Sequence, residues 1–180
     1  NITYANTDTV APTTGARTVQ FVVTDGDGGT SAAVTATVTV SQVNDAPTAA
    51  ITPAAYAATE QVALTLHGTG IAVADADAGA LTVTLSAGYG ILNVAAGDSG
   101  VIVTNSGTAT VTLAGSVAQI NALLGGTSTG TATFVANTDT PPASTVLTLT
   151  ADDGVAAPAS DTATINIAAV NDVPALNTSS

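Results

Sequence analysis

Pairs of carboxylates set two residues apart in turns of glycine and alanine are the part of this sequence best equipped for chemistry. Asp25-Gly-Asp27-Gly-Gly29 and Asp75-Ala-Asp77-Ala-Gly79 are two such groups, and Asp152-Asp153-Gly154 is a tighter third. Small neighbours let the side-chain oxygens converge on one point at little steric cost. Such a site suits a hard cation, and Ca²⁺ tolerates an irregular shell of about six to eight oxygens. Asn44-Asp45 and Asn171-Asp172, each followed closely by a proline, add further oxygen donors, as does Glu60, the only glutamate. Counting excludes the EF-hand, because its twelfth loop position falls on Ala36 from Asp25 and on Ser86 from Asp75, where a glutamate is required. The nonapeptide β-roll also fails, since the Asp-Gly-Asp-Gly-Gly string is not repeated in tandem.

Asp and Gly also mark ordinary turns. Charge balance shifts the reading towards metal. Arg17 is the only Lys or Arg against 13 acidic residues, for a net charge of −12. Carboxylates that cluster without cations nearby must be solvated or neutralised by a metal ion. The same charge excludes a phosphate-tracking surface, so nucleic acid and anionic lipid are poor partners. With no cysteine there is no disulfide framework, thiol nucleophile or thiolate metal site. No apolar stretch is long enough to insert in a membrane.

Catalytic constellations are missing. His67 is the only histidine, and no serine sits in a Gly-x-Ser-x-Gly elbow. A lone histidine beside Gly68 reads as a surface residue. A glycosidase pair needs one carboxyl raised in an apolar pocket, and here the Asp clusters fall in turns. Gly68-Thr-Gly70 lacks the third glycine and following helix of a dinucleotide loop and reads as a turn. The chain is not expected to be an enzyme.

The elements that carry these loops are β-strands. Ala, Val and Thr dominate the 46% apolar and hydroxyl-rich composition, and only five aromatics occur. Such side chains suit paired sheets. Period-two alternation marks strands over residues 61–67, 80–86, 107–113 and 159–168. Residues 116–124 have helical spacing at Val117, Ile120 and Leu124, with an N-cap serine and a Gly125-Gly126 stop, so one short helix is predicted. The five aromatics read as core, with Tyr89 between glycines as a candidate exposed loop residue.

The chain also repeats. Val43-Asn-Asp-Ala-Pro47 returns as Val170-Asn-Asp-Val-Pro174, 127 positions later. Thr18-Val-Gln-Phe-Val-Val-Thr-Asp25 aligns with Thr145-Val-Leu-Thr-Leu-Thr-Ala-Asp152 at the same offset, and Tyr4-Ala-Asn-Thr-Asp8 resembles the stretch from Phe134 to Asp139. Residues 48–174 are therefore expected to be one complete unit. Residues 1–47 would be the C-terminal part of a preceding unit ending in a linker, and 175–180 a tail or the start of the next. A half-unit of about three strands is too little to bury a sheet face alone. Either the chain comes from a longer one, or those strands complete another subunit's sheet by strand addition.

In order, Thr24-Asp-Gly-Asp-Gly-Gly29, a long alternating strand and Val43-Asn-Asp-Ala-Pro47 resemble the end of a cadherin-like repeat of large secreted bacterial adhesins. Glu60 and Val73-Ala-Asp-Ala-Asp-Ala-Gly79 resemble the start of the next. The resemblance implies an all-β fold of immunoglobulin-like or cadherin-like sandwich repeats at the cell surface, with Ca²⁺ at each junction. By position it implies that Asn44 and Asp45 join Asp75, Asp77, Asp152 and Asp153 around the junction. It gives Asp25 and Asp27 the corresponding role in the preceding unit, and Asp172 with Asn171 that role at the following junction. Glu60 would be a basal ligand. The expected function is structural or adhesive, with neighbouring repeats of the same or an identical chain as partners. Two alternatives are a filament protomer built by strand addition and a Ca²⁺-dependent module binding surface polysaccharide.

Overall fold

The computed structural model describes residues 3–8, 12–77 and 79–172. The chain divides into two compact units, Asn1–Asp45 and Ala46–Ser180. The expected tail at 175–180 lies outside the described residues.

The first unit contributes two strands, β1 (Gly15–Phe21) and β2 (Val34–Val40), paired antiparallel as one hairpin. Among its described residues two strands appear, where about three were expected. Alternation sorts the hairpin, with Arg17, opposite Val38, the one charged side chain on the apolar face. Cross-strand partners share a face, so Val19, Phe21, Val34, Ala36 and Val38 stand on one side, with Thr18, Gln20, Thr35 and Thr37 on the other.

The second unit is an all-β sandwich with one helix. Its strands are β3 (Thr48–Ile51), β4 (Ala55–Thr59), β5 (Leu64–Thr65), β6 (Ile71–Ala74), β7 (Leu81–Ala87), β8 (Ile91–Ala95), β9 (Ile102–Thr104), β10 (Thr110–Gly115), β11 (Thr131–Val135), β12 (Ser144–Asp152) and β13 (Ala159–Ala168). A six-stranded sheet runs β4-β13-β12-β7-β10-β9, parallel only between β4 and β13. Opposite it lie the sheets β5-β11-β8 and β3-β6. Inward positions follow the two-residue period: Leu81, Val83 and Leu85 on β7, Leu147, Leu149 and Ala151 on β12, and Ala163, Ile165 and Ile167 on β13 are all buried. Aliphatic side chains fill most of the core. Among the aromatics only Tyr56 and Phe134 are buried in it.

The helix α1 (Val117–Leu124) forms where its spacing predicts. Ser116 caps it, and Gln119 reaches back to the Ser116 N–H to close a capping box. Ile120, Leu123 and Leu124 are buried, while the Asn121 amide exchanges two hydrogen bonds with the backbone of Val73, which satisfies the open edge of β6.

Four expectations need correction. The strand over 61–67 shrinks to Leu64–Thr65, because Gln61 adopts the left-handed region (φ 57°) and turns the chain immediately after β4. Tyr89 is half-buried against the core, with its hydroxyl bonded to Thr138 Oγ1. Tyr4 and Phe21 are not core, being 48% and 38% exposed in the first unit. His67 is half-buried, and its Nδ1 accepts the Ala132 N–H at 3.2 Å.

The topology gives the second unit two distinct ends. Thr48 pairs with Ala74, and Asp152 with Thr82, which sets the chain's entry, the turn at 75–77 and the end of β12 at one end. At the other end Ala168 pairs with Thr59, and Glu60 N–H donates to Ala168 carbonyl. The chain enters this unit at one end and leaves at the other.

Candidate metal centre

At the exit end three carboxylates converge. One oxygen each from Glu60, Asp139 and Asp172 lie within 4.8 Å of one another, the only such trio among the described residues. Each arrives from a different part of the chain. On β4 the inward positions are Tyr56 and Ala58, and the same alternation carried one step further points Glu60 inward, so it is only 3% exposed. Asp139 follows β11 in the loop leading to Pro141-Pro142, held by the Gln61 side-chain amide. The left-handed Gln61 also donates its backbone N–H to the Ala136 carbonyl at 2.9 Å, which fixes it beside this loop. Asp172 stands four residues beyond β13, next to Asn171, whose amide donates to the Asp172 carbonyl at 3.3 Å.

The electrostatics of this cluster are unbalanced. Glu60 Oε2 accepts the Val170 N–H at 2.7 Å, while Oε1 is buried without a hydrogen-bond partner. A buried carboxylate oxygen left unpaired is costly. No Lys or Arg of this unit can offset it, since the chain's single one, Arg17, belongs to the first unit. The donors suit a hard cation. They are all oxygens, with no imidazole or thiolate, and they lie at the end of a sandwich where backbone carbonyls and water can complete a shell. That donor set is of the kind that binds Ca²⁺ or Mg²⁺, whereas a zinc site favours nitrogen and sulfur.

Four other acidic residues, Asp25, Asp75, Asp152 and Asp153, cap their own turns. At the entry end Asp75 Oδ1 accepts the Asp77 N–H at 3.0 Å, beside a shallow depression lined by Ala46, Thr48, Ala74 and Ala76. Asp152 Oδ1 accepts from Gly154 at 2.8 Å, and Asp153 Oδ1 from Val155 and Ala156, both at 2.9 Å. In the first unit Asp25 Oδ1 accepts from Asp27 and Gly29 N–H at 3.0 and 2.9 Å, and these bonds hold its carboxyl below the usual carboxylate value. Asn44 donates to the Asp45 carbonyl at 2.9 Å, the same local turn as at Asn171-Asp172. Asp75, Asp77, Asp152 and Asp153 share one end of the second unit, but no three of them meet as closely as the exit trio.

Of the residues singled out in the sequence, the structure thus brings Glu60 and Asp172 together and adds Asp139. That residue carried a readable signal. Asn137-Thr138-Asp139 recurs as Asn6-Thr7-Asp8 in the first unit, at the matching place in the repeat.

No protein-family model matches the chain, and no curated protein does. Several solved structures resemble it. Domains 4 and 5 of the S-layer protein SbsC are 15% identical with a TM-score of 0.41, over 87% of this chain and 59% of that one. The EC1–3 region of mouse clustered PcdhgC3 is 18% identical with a TM-score of 0.38, over 87% of this chain and 42% of that one. The chain therefore spans less than two thirds of either structure's length.

Proposed function

We propose that the protein is an extracellular structural or adhesive module, made of repeating β-sandwich units whose ends are stiffened by Ca²⁺. The observation that carries this reading is the buried, unpartnered Oε1 of Glu60 beside the carboxylates of Asp139 and Asp172, in a unit that contains no Lys or Arg. A divalent cation there would supply the missing partner and cancel the mutual repulsion of three acids. Glu60, Asp139 and Asp172 would hold it, with Ca²⁺ acting as a structural tie and not as a Lewis acid. Entry into one end and exit from the other suits a unit strung in series, where a tie at the exit limits bending of the chain beyond it. Asn44 and Asp45 are the matching residues of the first unit, and Asp75, Asp77, Asp152 and Asp153 are further ligands in this reading. Affinity belongs to the weak extracellular class, about 10⁻⁴–10⁻³ M.

The reading is mechanical rather than enzymatic. Nδ1 of the single histidine is occupied by the Ala132 N–H. The test is calorimetric titration of the full chain with Ca²⁺ and with Mg²⁺, alongside thermal unfolding in each. Saturable Ca²⁺ binding that raises the melting temperature supports the reading. Unchanged melting with no binding heat refutes it.

A further inference from the structure

The hairpin of the first unit matches the closing hairpin of the second strand for strand. β2 and β13 correspond at an offset of 127, so Ala36, Val38 and Val40 stand where Ala163, Ile165 and Ile167 are buried. The pairing then corrects the alignment of the other strand. Val19 faces Ala36, and Leu147 faces Ala163, so β1 corresponds to β12 at an offset of 128 and not 127. Because strand side chains alternate, that single residue decides which face is which. At 128, Val19 and Phe21 occupy the positions of Leu147 and Leu149, both fully buried in the second unit. At 127 the inward positions would fall to Thr18 and Gln20.

The two hairpins differ in what surrounds them. In the second unit β12 is flanked by an antiparallel strand, β7, and β13 by a parallel one, β4. Among the described residues β1 and β2 pair only with each other, and Phe21 and Val34 are 38% and 66% exposed. β2 reads Val-Thr-Ala-Thr-Val-Thr-Val, with none of the charges or prolines that protect an edge strand. It is built as an interior strand.

We propose that β1–β2 is a docking surface for the body of a β-sandwich unit lacking its own last two strands. That body resembles the part of the second unit preceding β12, and it presents a β7-like edge antiparallel to β1 and a β4-like edge parallel to β2. This inference does not depend on calcium. A second copy docking the same hairpin face to face is a poor fit, since two strands of this length cover roughly 250 Å², against about 800 Å² per partner in a stable interface. In a second copy the sandwich body is already closed by its own β12–β13.

Two positions on the docking face differ in polarity from the closing hairpin. Arg17 stands at the Thr145 position, and Val34 at that of Asp161, whose Oδ2 accepts the Ile51 N–H at 2.8 Å. The test is a transplant within the full chain: residues 144–168 are replaced by a second copy of residues 16–41 carrying Arg17→Thr and Val34→Asp. A single cooperative unfolding transition is expected, at a lower temperature than the parent because Phe21 overfills the Leu149 position. Adding Val19→Asn and Val38→Asn to the graft should abolish that transition, while Thr18→Asn and Thr35→Asn should leave it in place. A graft that fails to fold, or equal effects of the two pairs, overturns the proposal. So does dimerisation of the unaltered chain that is lost on Val38→Asn in sedimentation, since a second copy would then be the occupant.

Discussion

Replacing Asp139 by asparagine removes one charge from the exit trio while keeping an oxygen for the Gln61 amide, so its effect on stability should change sign with calcium. Asp139 faces two carboxylates at separations of up to 4.8 Å. At a water-like dielectric each such pair repels by about 1 kcal/mol, less once salt screens it. In chelator, Asp139→Asn should therefore raise stability by about 1 kcal/mol, or roughly 3–5 °C for a unit of this size. With Ca²⁺ at about ten times its dissociation constant, the parent gains RT ln 11, about 1.4 kcal/mol. Losing one of three carboxylate ligands should remove most of that gain, so the variant melts above the parent in chelator and at or below it in calcium. The assay is thermal unfolding of both proteins in each buffer at constant ionic strength. An equal loss in both buffers would refute the reasoning, because Asp139 would then act only through its bond to Gln61. An equal calcium response in both proteins would also refute it, placing the ion elsewhere.

Acid should destabilise the second unit through two loop-pinning carboxylates. Asp98, held by Thr129 N–H, and Asp161, held by the N–H groups of Ile51 and Thr162, both have pKa values lowered from the ordinary 3.8. Their contribution is present above the unfolded value and is lost as pH falls through the lower folded one. Stability should thus decline with pH below about 4, and less steeply in Asp161→Asn, as read by denaturant melts across that range. Gly90→Ala should cost roughly 2 kcal/mol or more, because φ is +83° and the added Cβ would meet the Phe134 ring at 2.6 Å; the denaturation midpoint measures it. Ser116→Ala should cost about 1 kcal/mol by opening the capping box of α1, again visible in the midpoint. In hydrogen exchange, amides of β2 should exchange by local opening well before those of β13, whose flanks are both covered.

Much of this architecture was legible in the sequence because its signals are local. Alternation of apolar and hydroxyl residues set out β13 over the full span expected and β7 within one residue, and Ser116 with Gly125 delimited α1. The acidic turns were legible as turns, since an Asp side chain that caps an N–H two or three residues on needs nothing from the rest of the chain. The scarcity of cations was equally plain. What local signals could not supply is pairing. Glu60, Asp139 and Asp172 lie far apart along the chain, and they meet only because β4, β11 and β13 end at the same edge of one sandwich. The strand expected over 61–67 failed for the same reason: Gln61 gives up the extended conformation to bond Ala136, a partner the alternation pattern does not reveal. Register was the subtlest case. Matching Thr18 with Thr145 looked sound by residue identity, yet cross-strand partners shift it by one and so turn the hairpin's apolar face over. Composition and period therefore determined which segments are strands and which groups are acidic. Only tertiary pairing decided which carboxylates come together and which side chains share the apolar face of β1–β2, because both depend on contacts between residues that the sequence keeps apart.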